Sequence, residues 1–205
     1  MIGIIDCDMG NLLSVKNALY YLGCDSVLCR SREDLEEIDK IVLPGVGAFA
    51  DFMEKLKARG FVDSLERAVF DRGIPILGIC LGMQAMARKS FEGGEHQGLG
   101  WIEGDVIRIR TEDSDLRVPH IGWNEIHSRR ENILFKGLPE GCDFYFVHSY
   151  YVDCDNPDDV EATCDYGGTI TAAVRKNNIF ATQFHPEKSQ DYGLRVLDNF
   201  LTLKQ

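Results

Sequence analysis

Short, uninterrupted apolar runs separated by amphipathic segments limit most strongly what this chain can fold into. Ile2 to Ile5, Ile41-Val42-Leu43 and Pro75-Ile76-Leu77-Gly78-Ile79 lack the polar alternation of a strand with one wet face. Strands of that kind are buried on both sides, which requires a parallel sheet with helices packed on each face. The intervening segments read as those helices. Asn11 is placed to cap a helix whose Leu12, Val15, Leu19 and Leu22 share one face, with Gly23 ending it. Ala48 to Arg72 reads as helical with a break near Gly60, and Leu81 to Ala87 as a short helix. Pro44-Gly45 is expected to stop the strand that begins at Ile41.

The second half changes character. Val106 to Arg110, Phe144 to Val147, Tyr150 to Val152, Thr169 to Val174 and Ile179 to Phe184 are strand-like runs with turns between them. They predict a mixed sheet or an antiparallel extension. Asp191 to Leu203 reads as a closing helix with Leu194, Leu197 and Leu201 on one face. No Pro/Ser-rich linker, low-complexity tract or internal repeat divides the chain, so a single domain over residues 1–205 is expected. In an α/β fold of this type the functional residues follow the carboxyl ends of the parallel strands.

Gly78-Ile79-Cys80-Leu81-Gly82 follows such a strand. It is the thiol form of the G-x-S-x-G elbow, in which a nucleophile sits on a sharp strand-to-helix turn. Residues two before and two after the nucleophile must be small, because larger side chains would strike neighbouring backbone. Gly78 and Gly82 meet that need. The turn puts Cys80 at a helix N-terminus, where the dipole and unpaired N–H groups favour a thiolate. The N–H of Leu81 is a natural oxyanion donor there. Gln84 lies one helical turn further on the same face, where its amide is placed to bind the amino-acid end of a small substrate.

The 205-residue chain carries 22 basic and 33 acidic residues, a net charge of −11, which opposes nonspecific binding to nucleic acid or an anionic membrane. The first residues, Met1-Ile2-Gly3-Ile4-Ile5-Asp6, read as a strand rather than a signal peptide, and no apolar run reaches membrane-spanning length. Seven cysteines without CxxC spacing suit reduced thiols in a cytoplasmic protein. The histidines lack the i, i+4 spacing of a helical zinc site, so neither metal nor other cofactor is expected. His96 and His127 carry no signal. The plain reading of His120 and His148 is structural hydrogen bonding at loops.

Two longer strings give the chain a resemblance. Leu77-Gly78-Ile79-Cys80-Leu81-Gly82-Met83-Gln84 and, far downstream, Gln183-Phe184-His185-Pro186-Glu187 resemble the nucleophile and FHPE segments of class I (triad) glutamine amidotransferases. The match narrows with Pro44-Gly45-Val46-Gly47-Ala48-Phe49, Val118-Pro119-His120-Ile121-Gly122-Trp123-Asn124, Tyr145-Phe146-Val147-His148-Ser149-Tyr150 and Lys188-Ser189. Together these are similar to the glutaminase subunits of imidazole glycerol phosphate synthases, over essentially the whole chain. The resemblance implies a flavodoxin-like α/β domain, glutamine as substrate, and a heterodimer with a separate (β/α)8 cyclase subunit. One departure stands after the first strand, where Cys7-Asp8 replaces the usual Tyr-Gly pair.

Roles follow from the chemistry and the resemblance together. Cys80 is the nucleophile, His185 the general base and acid, and Glu187 the carboxylate that holds His185 in its working tautomer. His185 and Glu187, two apart on an extended segment, are expected to point to one side. The resemblance makes the Val46 N–H a second oxyanion donor, after a peptide rotation, and puts Gly47 beside the substrate. It also has His148, Ser149 and Tyr150 supply backbone groups to glutamine. Ammonia must then reach an acceptor enzyme on a second polypeptide, since the chain is too short to hold both. Rival readings are a paralogue aminating a surface-polysaccharide sugar, a non-catalytic regulatory subunit, and a thiol peptidase or thioesterase.

Overall fold

The computed structural model describes residues 1–111, 115–129 and 133–203. The first half contains β1 (Ile2–Ile5), α1 (Leu12–Tyr21), β2 (Ser26–Cys29), β3 (Lys40–Gly45), α2 (Phe49–Ala58), α3 (Phe61–Glu66), β4 (Ile76–Cys80), α4 (Leu81–Ala85), β5 (Ala87–Ser90) and β6 (His96–Gln97). The second half contains β7 (Ile102–Arg108), β8 (His120–Glu125), β9 (His127–Ser128), β10 (Asp143–His148) and β11 (Tyr150–Cys154). It ends with β12 (Val160–Asp165), β13 (Thr169–Lys176), β14 (Ile179–Thr182) and α5 (Gln190–Leu201).

The main sheet has eight strands in the order β2-β1-β3-β4-β14-β13-β12-β9. β2 through β14 in that order run parallel, and β13, β12 and β9 extend the sheet antiparallel. The expected parallel sheet with an antiparallel extension is therefore present. Its strands are apolar on both faces because each parity has its own layer. Ile4, Val42, Leu77 and Ile79 pack with Val15 and Leu19 of α1 and Val196, Leu197 and Phe200 of α5. Ile5, Ile41, Leu43 and Ile76 pack with Phe49, Phe52 and Leu56 of α2 and Phe61 and Leu65 of α3. Each such side chain contributes about 1.5–3 kcal/mol of burial. The remaining strands cover these layers. A four-stranded sheet, β11-β7-β5-β6, adds Val106 and Val152 to the α2/α3 side, and the β8–β10 ribbon adds Phe144 and Phe146 to the other.

Several local expectations are corrected. β3 does not stop at Pro44-Gly45: both residues pair with β4, opposite Ile79 and Cys80. Pairing with β1 ends at Val42, so beyond it β3 has one strand neighbour and a proline is tolerated. The helix after Cys80 ends at Ala85, and Ala87 already begins a strand. The buried face of α5 is Gly193, Val196, Leu197 and Phe200, with Leu194 and Leu201 only partly buried at its margin. β2 carries no apolar pattern, because only Cys29 of its four residues is buried, as befits an edge strand. β5, β6, β8, β9 and β12 were also not legible; they are short or carry mixed residues.

Gly193 lets α5 lie directly on the turn at Pro186–Lys188, since a Cβ there would sit 1.9 Å from the Pro186 carbonyl oxygen. Gly193→Ala should therefore destabilise the fold by about 2–4 kcal/mol, measured by urea unfolding.

Candidate active site

The elbow is built as its sequence required. β4 passes into α4 with Cys80 as the hinge, at φ 54° and ψ −107°. That backbone is strained for a residue with a Cβ and is found mainly at functional turns. A Cβ on Gly78 would lie 2.9 Å from the backbone of Gly82, and one on Gly82 would lie 1.8 Å from the Leu43 carbonyl oxygen of β3. Only glycine lets α4 approach so closely. Cys80 Sγ is buried, 3.9 Å from the Val147 carbonyl, and accepts from Gln183 Nε2 at 3.6 Å.

His185 follows the strand beside β4. Its Nδ1 donates to Glu187 Oε1 at 2.8 Å, with both side chains 2% exposed. The segment is not extended: Pro186–Lys188 forms a 3₁₀ turn, with Pro186 in its first turn, and this turn brings the carboxylate back to the ring. Ser189 braces it, donating its hydroxyl to the His185 carbonyl at 2.6 Å and accepting the Tyr145 N–H at 3.0 Å. With Nδ1 committed, Nε2 is the working nitrogen, and it is buried without a hydrogen-bond partner. Burial is the largest single influence on His185 and would lower its pKa. The Cys80 sulfur and Glu187 carboxylate together outweigh it and hold the value at about 9.

The two oxyanion candidates stand differently. Leu81 heads α4, where helix N–H groups have no partner within the helix. The Val46 N–H instead donates to the Met9 carbonyl at 2.9 Å, in the loop after β1. That loop carries the Cys7-Asp8 departure. Asp8 has φ 58° and is ion-paired with Arg59, whose Nη1 also donates to the Asp6 carbonyl at 2.8 Å. Val46 can serve an oxyanion only after its peptide turns away from Met9. That peptide joins Gly45 to Val46, so the turn is made at Gly45, which has no side chain to hinder it.

A cavity of about 330 Å³ gathers Val46, Gly47, Cys80, Leu81, Gln84, His148, Ser149, Tyr150 and His185. Every candidate named from the sequence lines it except Glu187, which lies behind the imidazole. Glu92, Pro119 and Val147 line it too. Glu92 had no sequence signal; its Oε2 caps α2 through the Phe49 N–H at 2.8 Å. Gln183, a polar residue in the apolar run Ile179 to Phe184, is fully buried. Gln84 is buried, and its Nε2 is committed to the Tyr150 carbonyl at 2.8 Å and to Gln183 Oε1 at 3.1 Å. Its Oε1 is the atom left for a ligand. A wider depression of about 770 Å³ around Ile107, Arg108, Ile109 and Arg110 shares only Tyr150 with this cavity and holds none of the triad. Among the described residues no group of three or more His, Cys, Asp or Glu could hold a metal, and no helix is long and apolar enough to cross a membrane.

Residues 3–203 match the glutamine amidotransferase class-I family. The chain belongs to the class-I glutamine amidotransferases. Among relatives, a Syntrophotalea carbinolica protein named imidazole glycerol phosphate synthase subunit HisH is 48% identical, covering 98% of each chain. Subunits named HisH 1 in Campylobacter jejuni and HisH 2 in Pseudomonas aeruginosa are 46% and 44% identical, covering 99% of this chain and 100% of theirs. A crystal structure described as a glutamine amidotransferase superposes with a TM-score of 0.75 at 22% identity, over 98% of this chain and 99% of its own. PurLQS from Thermotoga maritima gives 0.75 at 16% identity, over 98% of this chain and 96% of its own. These two share the class-I amidotransferase fold.

The raised His185 value makes a pH prediction. Its folded pKa of about 9 exceeds its ordinary 6.5, so its contribution to stability is complete below about pH 6.5 and is lost as pH rises through 9. Cys80→Ala removes one of the two partners that raise it, and NMR titration should find the His185 midpoint lowered in that variant.

Proposed function

We propose that this chain is the glutaminase subunit of an imidazole glycerol phosphate synthase, acting in histidine biosynthesis. One observation carries the chemistry: Cys80, the His185–Glu187 pair and the Leu81 N–H converge on a single small cavity. That cavity lies at the lower end of ligand-pocket sizes, as suits one free amino acid. Glu92 is the one carboxylate on its lining and suits the α-ammonium group of glutamine.

The Cys80 thiolate attacks the side-chain carboxamide carbon of glutamine. The tetrahedral oxyanion is held by the Leu81 N–H and, after peptide rotation, by that of Val46. The His185 imidazolium gives its Nε2 proton to the departing nitrogen, and ammonia leaves with formation of a γ-glutamyl thioester. The now neutral His185 takes a proton from water, which attacks the thioester and releases glutamate and the thiol. Glu187 stabilises the imidazolium throughout. No cofactor is needed.

Ammonia protonated in bulk water is not a nucleophile, so it must pass directly to an acceptor site. The partner is a (β/α)8 cyclase subunit, where ammonia reacts with a phosphoribulosyl-formimino carboxamide ribonucleotide. The products are imidazole glycerol phosphate and an aminoimidazole carboxamide ribonucleotide. The β8 face beside the cavity suits that docking: Ile121 is 59% and Trp123 48% exposed. All seven cysteines are free, which agrees with a reducing, cytoplasmic setting. The Val46–Met9 hydrogen bond supports a resting state with one oxyanion donor withheld.

A second reading, a paralogue that aminates a surface-polysaccharide sugar, draws on the Asp8–Arg59 pair in the departed loop and the numbered names of two relatives. The purified complex should turn over the ribonucleotide acceptor; turnover of the sugar acceptor alone would select the paralogue instead.

Removing one oxyanion donor costs about 10²–10³ in kcat, so the isolated chain should hydrolyse glutamine at least about tenfold more slowly than the complex with cyclase and acceptor. A full rate in the isolated chain refutes gating at Val46. A glutamine-mimicking affinity label should modify Cys80 in the complex and leave Cys80→Ala unmodified, as peptide mass mapping would show.

A further inference from the structure

Two buried histidines outside the triad form a directed hydrogen-bond chain. β8 and β10 are antiparallel and set His120 directly opposite His148. His120 Nδ1 lies 3.0 Å from His148 Nε2, and His148 Nδ1 lies 2.9 Å from the Tyr150 carbonyl oxygen. A carbonyl only accepts, so Nδ1 of His148 carries a proton. Burial holds both rings neutral, His148 down to about 3 and His120 down to about 4, so each bears one N–H. Nε2 of His148 is then an acceptor and Nδ1 of His120 its donor. Nε2 of His120 in turn accepts from Asn124 Nδ2 at 3.3 Å. Each assignment follows from the one before, and the chain has a single direction: Asn124 to His120 to His148 to Tyr150.

The far end of the chain is the cavity wall. The Tyr150 carbonyl receives His148 Nδ1–H and Gln84 Nε2–H together, and His148, Ser149, Tyr150 and Gln84 all line the cavity. The other histidine is held rigidly. The His120 ring is stacked between Tyr166, at 3.9 Å between centroids, and Phe146, at 4.8 Å. The Tyr166 hydroxyl is itself tied to the Arg117 carbonyl at 2.7 Å. If His148 took the opposite tautomer, it would turn a lone pair toward the Tyr150 carbonyl. It would also put an N–H against that of His120.

We infer that His120 is a positioning residue for glutamine binding, selecting the His148 tautomer that fixes the Tyr150 carbonyl and so the wall against which the amino-acid end of glutamine lies. This rests on the reading of the cavity as the glutamine site. His120 does not reach the cavity lining and acts only through His148.

Two substitutions separate its hydrogen bond from its ring. His120→Phe keeps the aromatic stack and deletes both nitrogens. His120→Asn deletes the stack and keeps an N–H at the place of Nδ1. Glutamine hydrolysis is measured for the full chain in complex with its cyclase partner, and the tautomer of His148 is read from ring ¹⁵N shifts. His120→Phe should raise the KM for glutamine about tenfold with kcat within about threefold, because the wall binds the part of the substrate remote from the reacting carboxamide. His120→Asn should restore KM to within about threefold of the parent value. In the parent, His148 should be protonated at Nδ1, and in His120→Phe that preference should be lost. A parent KM in the Phe variant, with impairment in the Asn variant instead, overturns the inference in favour of ring packing. A His148 proton on Nε2 in the parent overturns it as well, and this readout needs no variant to fold. Should the parent complex fail to hydrolyse glutamine, the functional reading falls, while the tautomer measurement still decides the role of His120 at the wall.

Discussion

β4 is hydrogen-bonded along one edge to β3 and along the other to β14, and all three run the same way. Their carboxyl ends therefore open side by side. β3 delivers Val46 and Gly47, β4 delivers Cys80, and β14 leads into His185 and Glu187. Gln183 and Cys80 are 103 residues apart in sequence, yet their side chains meet at 3.6 Å through this pairing. The apolar layers on both faces keep the three strands from shifting register, because a one-residue slip would exchange the two layers. The site is thus a consequence of sheet order, and the order is held by packing far from the chemistry.

Close backbone approach is the second recurring device. Gly82 against Leu43 brings α4 onto β3, and Gly193 against Pro186 brings α5 onto the turn of the triad carboxylate. In each case a methyl group would intrude on a carbonyl oxygen. One contact sets Cys80 and the other sets the turn that follows His185. Around them the polar groups fall into two kinds. His185 is held charged by Glu187 and Cys80, whereas His120 and His148 are held neutral by burial. Three histidines within one region thus do different work because their partners differ: a carboxylate and a sulfur for one, a carbonyl and each other's nitrogens for the rest.

Much of this was readable beforehand. The elbow glycines and Cys80 carried signals because strained turns and nucleophile chemistry restrict residue type, whereas Val46, Gly47 and His148 to Tyr150 were marked only by the family resemblance of their strings. Glu92 carried none, and Gln183 only that of a polar residue in an apolar run. One is a loop carboxylate that reaches the cavity only because it caps α2, and the other is a buried amide whose partners come from β4 and α4. The edge strand β2 and the covering strands β5, β8 and β12 were missed for a related reason. Their residues are half-buried, and periodicity marks only strands whose faces differ or are both dry.

The sequence by itself determined the parallel core, the sharp turn at Cys80 and the types of residue available for thiol chemistry, since each depends on contacts within a few residues or on a local apolar pattern. Only the tertiary structure decided that β14 lies beside β4 and that the Val46 N–H is held by Met9. It also decided that His120 and His148 point their protons one way. Those facts depend on which distant strands pair and which side chains burial leaves facing one another, and no local pattern encodes either.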